Sequence, residues 1–197
     1  MDRIRREFST LALVMIPVAI AINIAVGQLV LALKLPLYLD SIGTVLVGVL
    51  FGPWAGALTG FLANLIWAIA FYSPAVAFAG VAAIIGALAG AFGRAGWARV
   101  WWKAILAGLI TGLTAAVLSA PIATYVFGGV MGSGTDVIVA IGRSVGLDSL
   151  GANIAQGAFS DPVDKMVTYL IIWAILRALP ARFKGRFANL GPGPAAG

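Results

Sequence analysis

Three side chains near the middle of the chain combine an amide with aromatic rings. Asn64, Trp67 and Phe71 are spaced three and four residues apart, so in a helix they lie on one face. An amide beside an aromatic plane suits a flat ligand with a polar ring, whereas the alternative is an interhelical hydrogen bond combined with packing. We take Asn64 and Trp67 as candidate substrate-binding residues.

A group of charged residues that begins at Asp161 has two interpretations. Asp161 fits an N-cap, Pro162 fits the first helical position and Asp164 fits the acidic first turn, which are structural roles. Polar groups at membrane depth are costly, so each of them is a candidate for a functional site. In the functional interpretation, Asp164 and Lys165 lie where an outward-facing pocket opens. The full set of candidate substrate-binding residues is Asn64, Trp67, Tyr72, Tyr125, Asp161, Asp164, Lys165 and Tyr169.

Several classes of chemistry are excluded by residues that the sequence lacks. It contains no cysteine and no histidine, which removes disulfides, thiolate nucleophiles and the commonest metal ligands. No phosphate-binding Gly-Lys-Ser/Thr motif is present, so ATP hydrolysis would need another subunit. We predict that the chain is not an enzyme and that it uses no metal and no cofactor.

The composition predicts an integral membrane protein. Hydrophobic residues make up 61% of the 197 residues and charged residues only 10%, against about 25% charged in soluble domains. The net charge of +6 fits basic residues at helix ends better than nucleic-acid binding, which we do not expect. The first apolar run is too long for a signal peptide and is interpreted as an uncleaved helix.

Apolar runs and their interruptions predict an all-α bundle of six transmembrane helices. Gly52-Pro53 divides one uncharged run into a short second helix and a full third helix. The second helix is too short to cross the membrane alone, so other helices must shield it or its flanking loops must dip inward. The predicted helices cover residues 8–33, 41–52, 54–72, 74–92, 102–127 and 161–179.

The charges orient this bundle. With both termini in the cytoplasm, ten basic residues fall on the inner side and three on the outer side, as the positive-inside rule expects. Residues 128–160 then form a long outer loop, a lid that contains a short interfacial helix. Residues 1–190 are predicted to form a single membrane domain, and the Gly/Pro/Ala-rich residues 191–197 a disordered tail.

Small residues recur at four-residue spacing along the predicted helices. Gly48, Gly52, Gly56 and Gly60 follow this spacing, as do Ala21 and Ala25 in the first helix. Such residues let helix backbones approach closely inside lipid. The spacing serves internal packing or the docking of a partner subunit, and the sequence leaves both open.

Three segments resemble one family of transport proteins. They are the entrance to the second helix (residues 34–44), the Gly-Pro-x-x-Gly junction (residues 51–60) and Asp161-Pro162-Val163-Asp164-Lys165. Together with the six-helix layout they resemble the substrate-binding S component of energy-coupling factor transporters of the vitamin-uptake type, over nearly the whole chain. The resemblance implies tight binding of a vitamin near the outer face, and cooperation with a transmembrane coupling subunit and two ATPase subunits. It also implies that Ala21-x-x-x-Ala25 docks the coupling subunit.

The resemblance places the pocket among residues 74–78, Tyr125, the lid and residues 161–169. An outer side with five acidic and three basic residues favours a neutral or cationic ligand, such as hydroxymethylpyrimidine, thiamine or a pyridoxine-like compound. The expected function is therefore high-affinity capture of such a nutrient for an ATP-driven importer in the cell membrane. The alternative is a membrane scaffold or channel-like protein without transport function.

Overall fold

A computed structural model describes residues 7–180 together with Ile4, Gly185, Phe187 and Asn189. In this part of the chain there are seven α-helices and no strand. The predicted tail, residues 191–197, lies outside the described residues. The helices are α1 (Thr10–Ala32), α2 (Ile42–Phe51), α3 (Pro53–Ala70), α4 (Ala79–Arg94), α5 (Trp101–Phe127), α6 (Asp136–Ser144) and α7 (Ser149–Ala178), with 3₁₀ segments at Ser73–Phe78 and Trp97–Arg99.

The expectation of an all-helical membrane protein is confirmed at this coarser level. Within the described residues, four segments are long and apolar enough to cross a membrane, which indicates a multi-pass membrane protein. They are Thr10–Ala32, Pro53–Ala70, Ser73–Arg94 and Trp101–Phe127. The predicted count of six spanning helices is not confirmed.

The predicted start of the last helix is wrong. Helix α7 begins at Ser149, where Asp148 is the N-cap and its side chain accepts a hydrogen bond from the Gly151 amide at 2.7 Å. Pro162 lies inside the helix, so Asp161 is not a cap. The structural role that we gave to Asp161-Pro162 is therefore corrected, and the connection after α5 is shorter than residues 128–160. That connection contains α6, which packs against α7.

Helix α2 lies at the centre of the bundle. It has 10 residues, about 15 Å at 1.5 Å per residue, and nine of them are buried. Helices α1, α3, α4 and α7 surround it. This shielding explains how a helix that is too short to span a membrane is accommodated.

The junction between α2 and α3 is stabilised from outside both helices. Gly52 has φ = 133°, a conformation that favours glycine, and Pro53 begins α3. The buried Glu7 carboxylate accepts hydrogen bonds from the backbone amides of Trp54 at 2.7 Å and Ala55 at 3.1 Å. It also pairs with Arg94. A carboxylate from another element thus caps the α3 N-terminus.

Most of the repeated glycines pack helices inside this chain. A Cβ added at Gly86 of α4 would lie 2.1 Å from the Gly56 carbonyl oxygen of α3, and one at Gly48 would lie 2.7 Å from the Gly86 oxygen. On α5, a Cβ at Gly112 would lie 2.5 Å from the backbone of Asp161 and Pro162. These backbones are in close contact, so internal packing accounts for these glycines.

The two alanines of α1 are placed differently. Ala21 and Ala25 are both exposed, on a face of α1 that also exposes Val14 and Val18. The buried face of the same helix, which includes Ile16, Ala19 and Asn23, packs against α2 and α3. The alanine pair therefore takes no part in the packing of this bundle.

Candidate functional site

A cavity opens at the end of the bundle where α7 begins, which we call the cavity end. Its empty volume is about 1080 Å³, including the solvent space at its mouth. Helices α1, α3, α4, α5 and α7 contribute to its walls, together with the first turn of α2 and the α1–α2 loop. Its polar lining consists of Tyr38, Asp40, Ser41, Thr44, Asn64, Tyr72, Ser119, Ser133, Asn153, Gln156, Asp161 and Lys165, beside Trp67.

Two aromatic rings form one wall of the cavity. Trp67 and Tyr72 have ring centroids 5.5 Å apart and an interplanar angle of 40°. Gly27 of α1 makes room for the indole, because a Cβ there would lie 2.7 Å from the Trp67 ring. Among the described residues the buried Trp67 Nε1 has no hydrogen-bond acceptor. One turn before it, Asn64 donates to the Ala75 carbonyl at 3.3 Å and so ties the 3₁₀ segment to α3.

A buried ion pair lies beside the cavity. Lys165 Nζ lies 2.5 Å from Asp164 Oδ2 and donates to Ser41 Oγ at 2.8 Å. Asp164 is completely buried, and its other oxygen accepts the backbone amides of Tyr38 at 3.1 Å and Leu39 at 2.6 Å. These contacts fasten the α1–α2 loop to α7 and help to hold Leu39 at φ = 48°, which is unusual for leucine.

The two carboxylates that line the cavity, Asp40 and Asp161, have fewer partners than Asp164. Asp40 lies 3.7 Å from Lys165, a long ion pair. Burial raises the pKa of Asp40; Lys165 opposes this shift and the Asp164 carboxylate adds to it. Asp161 is only 6% exposed and lines the cavity, yet within the described residues its carboxylate has neither a hydrogen bond nor an ion pair.

The segment before α6 covers the cavity and is tied down by hydrogen bonds. The Tyr72 hydroxyl donates to the Met131 carbonyl at 2.7 Å, and Lys34 Nζ donates to the Gly132 carbonyl at 2.5 Å. The Tyr38 and Thr135 hydroxyls lie 3.0 Å apart. Burial, with Asp136 and Asp40 nearby, raises the pKa of Tyr72 to about 12, so its hydroxyl stays protonated and can donate.

One face of α7 carries four of the polar groups that line the cavity. Asn153, Gln156, Asp161 and Lys165 are spaced three to five residues apart along the helix and line the cavity. The exposed positions between them include the apolar Ile154, Phe159 and Val163. The polar face therefore points inward, away from the surface that lipid would contact.

The structure separates the candidate residues into two groups. Five line the cavity: Asn64, Trp67, Tyr72, Asp161 and Lys165. The other three do not. Asp164 lies behind Lys165, Tyr169 is buried deeper with its hydroxyl 3.1 Å from that of Thr111, and Tyr125 is 75% exposed on the outer surface.

Several lining residues were not among the candidates. Tyr38, Asp40 and Ser41 reach the cavity because the α1–α2 loop folds over it, which the sequence does not indicate. Asn153 and Gln156 were assigned to the outer loop. A signal for them existed, since polar residues recur at helical spacing without interruption from Asn153 to Tyr169.

Comparison of the chain with protein-family models, curated proteins and solved structures found no match in any of the three. Within the described residues, no group of three or more acidic side chains is arranged to hold a metal ion. What the site can do chemically therefore follows from its own geometry. It offers an aromatic wall, amides and hydroxyls that can donate or accept, and an unpaired carboxylate.

Proposed function

We propose that this chain is the substrate-capture subunit of a nutrient importer and binds a small heteroaromatic compound, of the hydroxymethylpyrimidine, thiamine or pyridoxine type, in the cavity. In this proposal the cavity end faces the outside of the cell, where the nutrient is present, and both termini lie in the cytoplasm. The observation that carries the proposal is the cavity itself, with Trp67 and Tyr72 on one wall and Asp161 also in its lining.

The size and lining of the cavity support a small ligand. Ligand pockets are typically about 300–1,000 Å³, mostly apolar, with a few convergent polar groups. Here most of the apolar lining comes from α1, α4 and α5, and most of the polar groups come from α3, α7 and the α1–α2 loop. An aromatic pair gives a flat ligand ring a stacking surface, and an amide such as that of Asn64 can hydrogen-bond to the polar edge of the ligand.

The exposed small residues of α1 support an assembly role. Ala21 and Ala25 lie one turn apart on a surface that this bundle leaves uncovered. We assign to them the docking of a transmembrane coupling subunit, which would in turn work with two ATPase subunits. This division of labour fits a chain whose sequence has no phosphate-binding loop.

Ligand retention tests the proposal directly. The protein is purified in mild detergent, extracted, and examined by mass spectrometry for co-purified compounds, and a vitamin panel is titrated by tryptophan fluorescence. A ligand that stacks on Trp67 should quench its emission, so Trp67→Phe should abolish the quenching. The matched control is Trp102→Phe, because Trp102 is 47% exposed and does not line the cavity.

Mutation of the amide tests its proposed polar contact with the ligand. Asn64→Ala should weaken ligand binding by more than about tenfold, because a buried polar group of the ligand would lose its partner. Calorimetry gives this affinity independently of fluorescence. The absence of any bound or binding nutrient would contradict the capture proposal and would favour the scaffold or channel-like alternative.

The docking assignment needs a different readout. Ala21→Leu adds bulk to the proposed contact and should abolish uptake in cells that supply the coupling module, while ligand binding by the purified protein stays unchanged. Ala174→Leu is the matched control, because Ala174 is exposed on α7, away from the α1 pair. Normal uptake by the Ala21→Leu variant would refute the docking role.

A further inference from the structure

We propose that the ligand is a planar organic cation whose positive charge is bound by the Asp161 carboxylate. This inference rests on the proposed capture function and specifies its substrate class more narrowly. The charges of the outer side favour neutral and cationic ligands equally. The cavity narrows this choice to a cationic ring.

The first argument is the charge balance around the cavity. The carboxylates of Asp40, Asp161 and Asp164 lie at or beside the cavity together with one ammonium group, that of Lys165. Lys165 is committed to Asp164 at 2.5 Å and reaches Asp40 at 3.7 Å, which leaves Asp161 without an ion pair among the described residues. A buried carboxylate without a partner is unfavourable, and a cationic ligand would supply the missing charge.

The other basic side chains of this end are already engaged elsewhere. Lys34 donates to the Gly132 carbonyl, and Arg143 donates to the Gly128 carbonyl at 3.0 Å and to Ser149 Oγ at 2.6 Å. Neither contributes to the cavity lining. The protein therefore brings no second cation to Asp161 from the part of the chain that the structure describes.

A second, independent observation comes from the aromatic wall. A cation over the face of Trp or Tyr is attracted by the ring quadrupole, most strongly where water is excluded. Trp67 and Tyr72 provide such faces in the same cavity, and Trp67 is only 6% exposed. A flat cation meets both requirements, the charge for Asp161 and the ring for the aromatic wall.

The test uses four probes, of which the three with a single ring differ in charge but little in shape. Thiamine and 1-methylnicotinamide are cations, 3-methylbenzamide is the neutral isostere of the second, and nicotinate is an anion. Affinities for the full-length protein in detergent are measured by calorimetry. We expect the tightest binder to be a cation, and 1-methylnicotinamide to bind at least about tenfold more tightly than 3-methylbenzamide.

Two isosteric variants assign this preference to one side chain. Asp161→Asn should remove the preference for 1-methylnicotinamide and leave 3-methylbenzamide binding unchanged. Asp148→Asn is the control, because it removes the same charge at the N-cap of α7, outside the cavity, where Asn caps as well as Asp. It should leave both affinities unchanged.

The outcomes distinguish this inference from the proposed function. Tightest binding of a neutral or anionic probe, or an unchanged cation preference in Asp161→Asn, would overturn the cation assignment and leave the capture function standing. Failure of every probe and of the whole vitamin panel to bind would overturn both.

Discussion

The buried pair of Asp164 and Lys165 should be a major determinant of stability, and its contribution can be calculated. At the observed 2.5 Å separation, Coulomb's law with an effective dielectric constant of about 20 gives about 7 kcal/mol of attraction, much of which offsets desolvation. Removing one partner is costlier than removing both, because it leaves a buried charge unpaired. Lys165→Met leaves Asp164 with its charge buried and should cost about 3–5 kcal/mol.

The reverse change should be milder. In Asp164→Asn, the Lys165 ammonium keeps the Ser41 hydroxyl at 2.8 Å and Asp40 at 3.7 Å, so the expected loss is that of one charged hydrogen bond, about 1.5–3 kcal/mol. The double variant Asp164→Asn/Lys165→Met removes both charges of the pair and, of the other ion pairs, disturbs only the longer contact of Lys165 with Asp40, at 3.7 Å. It should be more stable than the sum of the single losses implies, by about 2 kcal/mol or more.

Unfolding in mixed micelles of increasing denaturing-detergent content, followed by circular dichroism, measures all four proteins of this cycle. Lys103→Met is the matched control, because Lys103 is only half-buried and its charge lies 5.4 Å from the exposed Trp102 ring. It should cost less than about 1 kcal/mol. Additive single losses, or a Lys165→Met variant as stable as the control, would refute the claim that the pair is energetically coupled.

Two further predictions concern packing and capping. Gly86→Ala should lower the free energy of unfolding by about 1–3 kcal/mol or more in the same assay, because its Cβ would lie 2.1 Å from the Gly56 oxygen. The control Gly80→Ala has nothing within 4 Å of the added Cβ and should be neutral or slightly stabilising. Equal effects of the two substitutions would contradict the close-packing explanation. Glu7→Ala should lower the free energy of unfolding by about 2–4 kcal/mol, because it removes the cap of α3 and the ion-pair partner of Arg94. A decrease of less than about 0.5 kcal/mol would contradict the capping role.

Local signals in the sequence were sufficient for the centre of this fold. Gly52-Pro53 predicts a break because proline fits the first helical position and glycine accepts positive φ, and the structure has both features there. The shortness of α2 implied either shielding by other helices or flanking loops that dip inward, and the burial of α2 agrees with shielding. These properties depend on backbone geometry within a few residues, which the sequence encodes directly.

The start of α7 was not predictable from the same kind of signal. Asp161-Pro162 and Asp148-Ser149 both look like helix N-termini, and the choice depends on whether the helix tolerates an internal proline. The site depended on this choice, because Asn153 and Gln156 reach the cavity only as part of α7. The exposure of Tyr125 depends on the rotation of α5 within the bundle, which packing against α7 decides.

Hydrogen exchange of two backbone amides should report whether the α1–α2 loop gates the cavity. The amides of Tyr38 and Leu39 donate to Asp164, so they exchange only when the loop leaves α7. The same loop contributes Asp40 and Ser41 to the cavity lining, so a bound ligand should favour its closed position. At a ligand concentration of 100 times Kd, binding to the closed form alone stabilises it by about 2.7 kcal/mol, which slows exchange about 100-fold.

The measurement is amide exchange followed by mass spectrometry of peptides that cover this loop, with and without a saturating ligand from the panel. The internal control is α2 itself: its amides near Val47 are buried in the bundle centre and should already exchange slowly without ligand. Unchanged exchange of the loop under conditions where calorimetry shows saturation would mean that the loop opens as easily with the ligand bound. That result would refute the prediction that the α1–α2 loop gates the cavity, and the segment before α6, held by Tyr72 and Lys34, would be the next one to test.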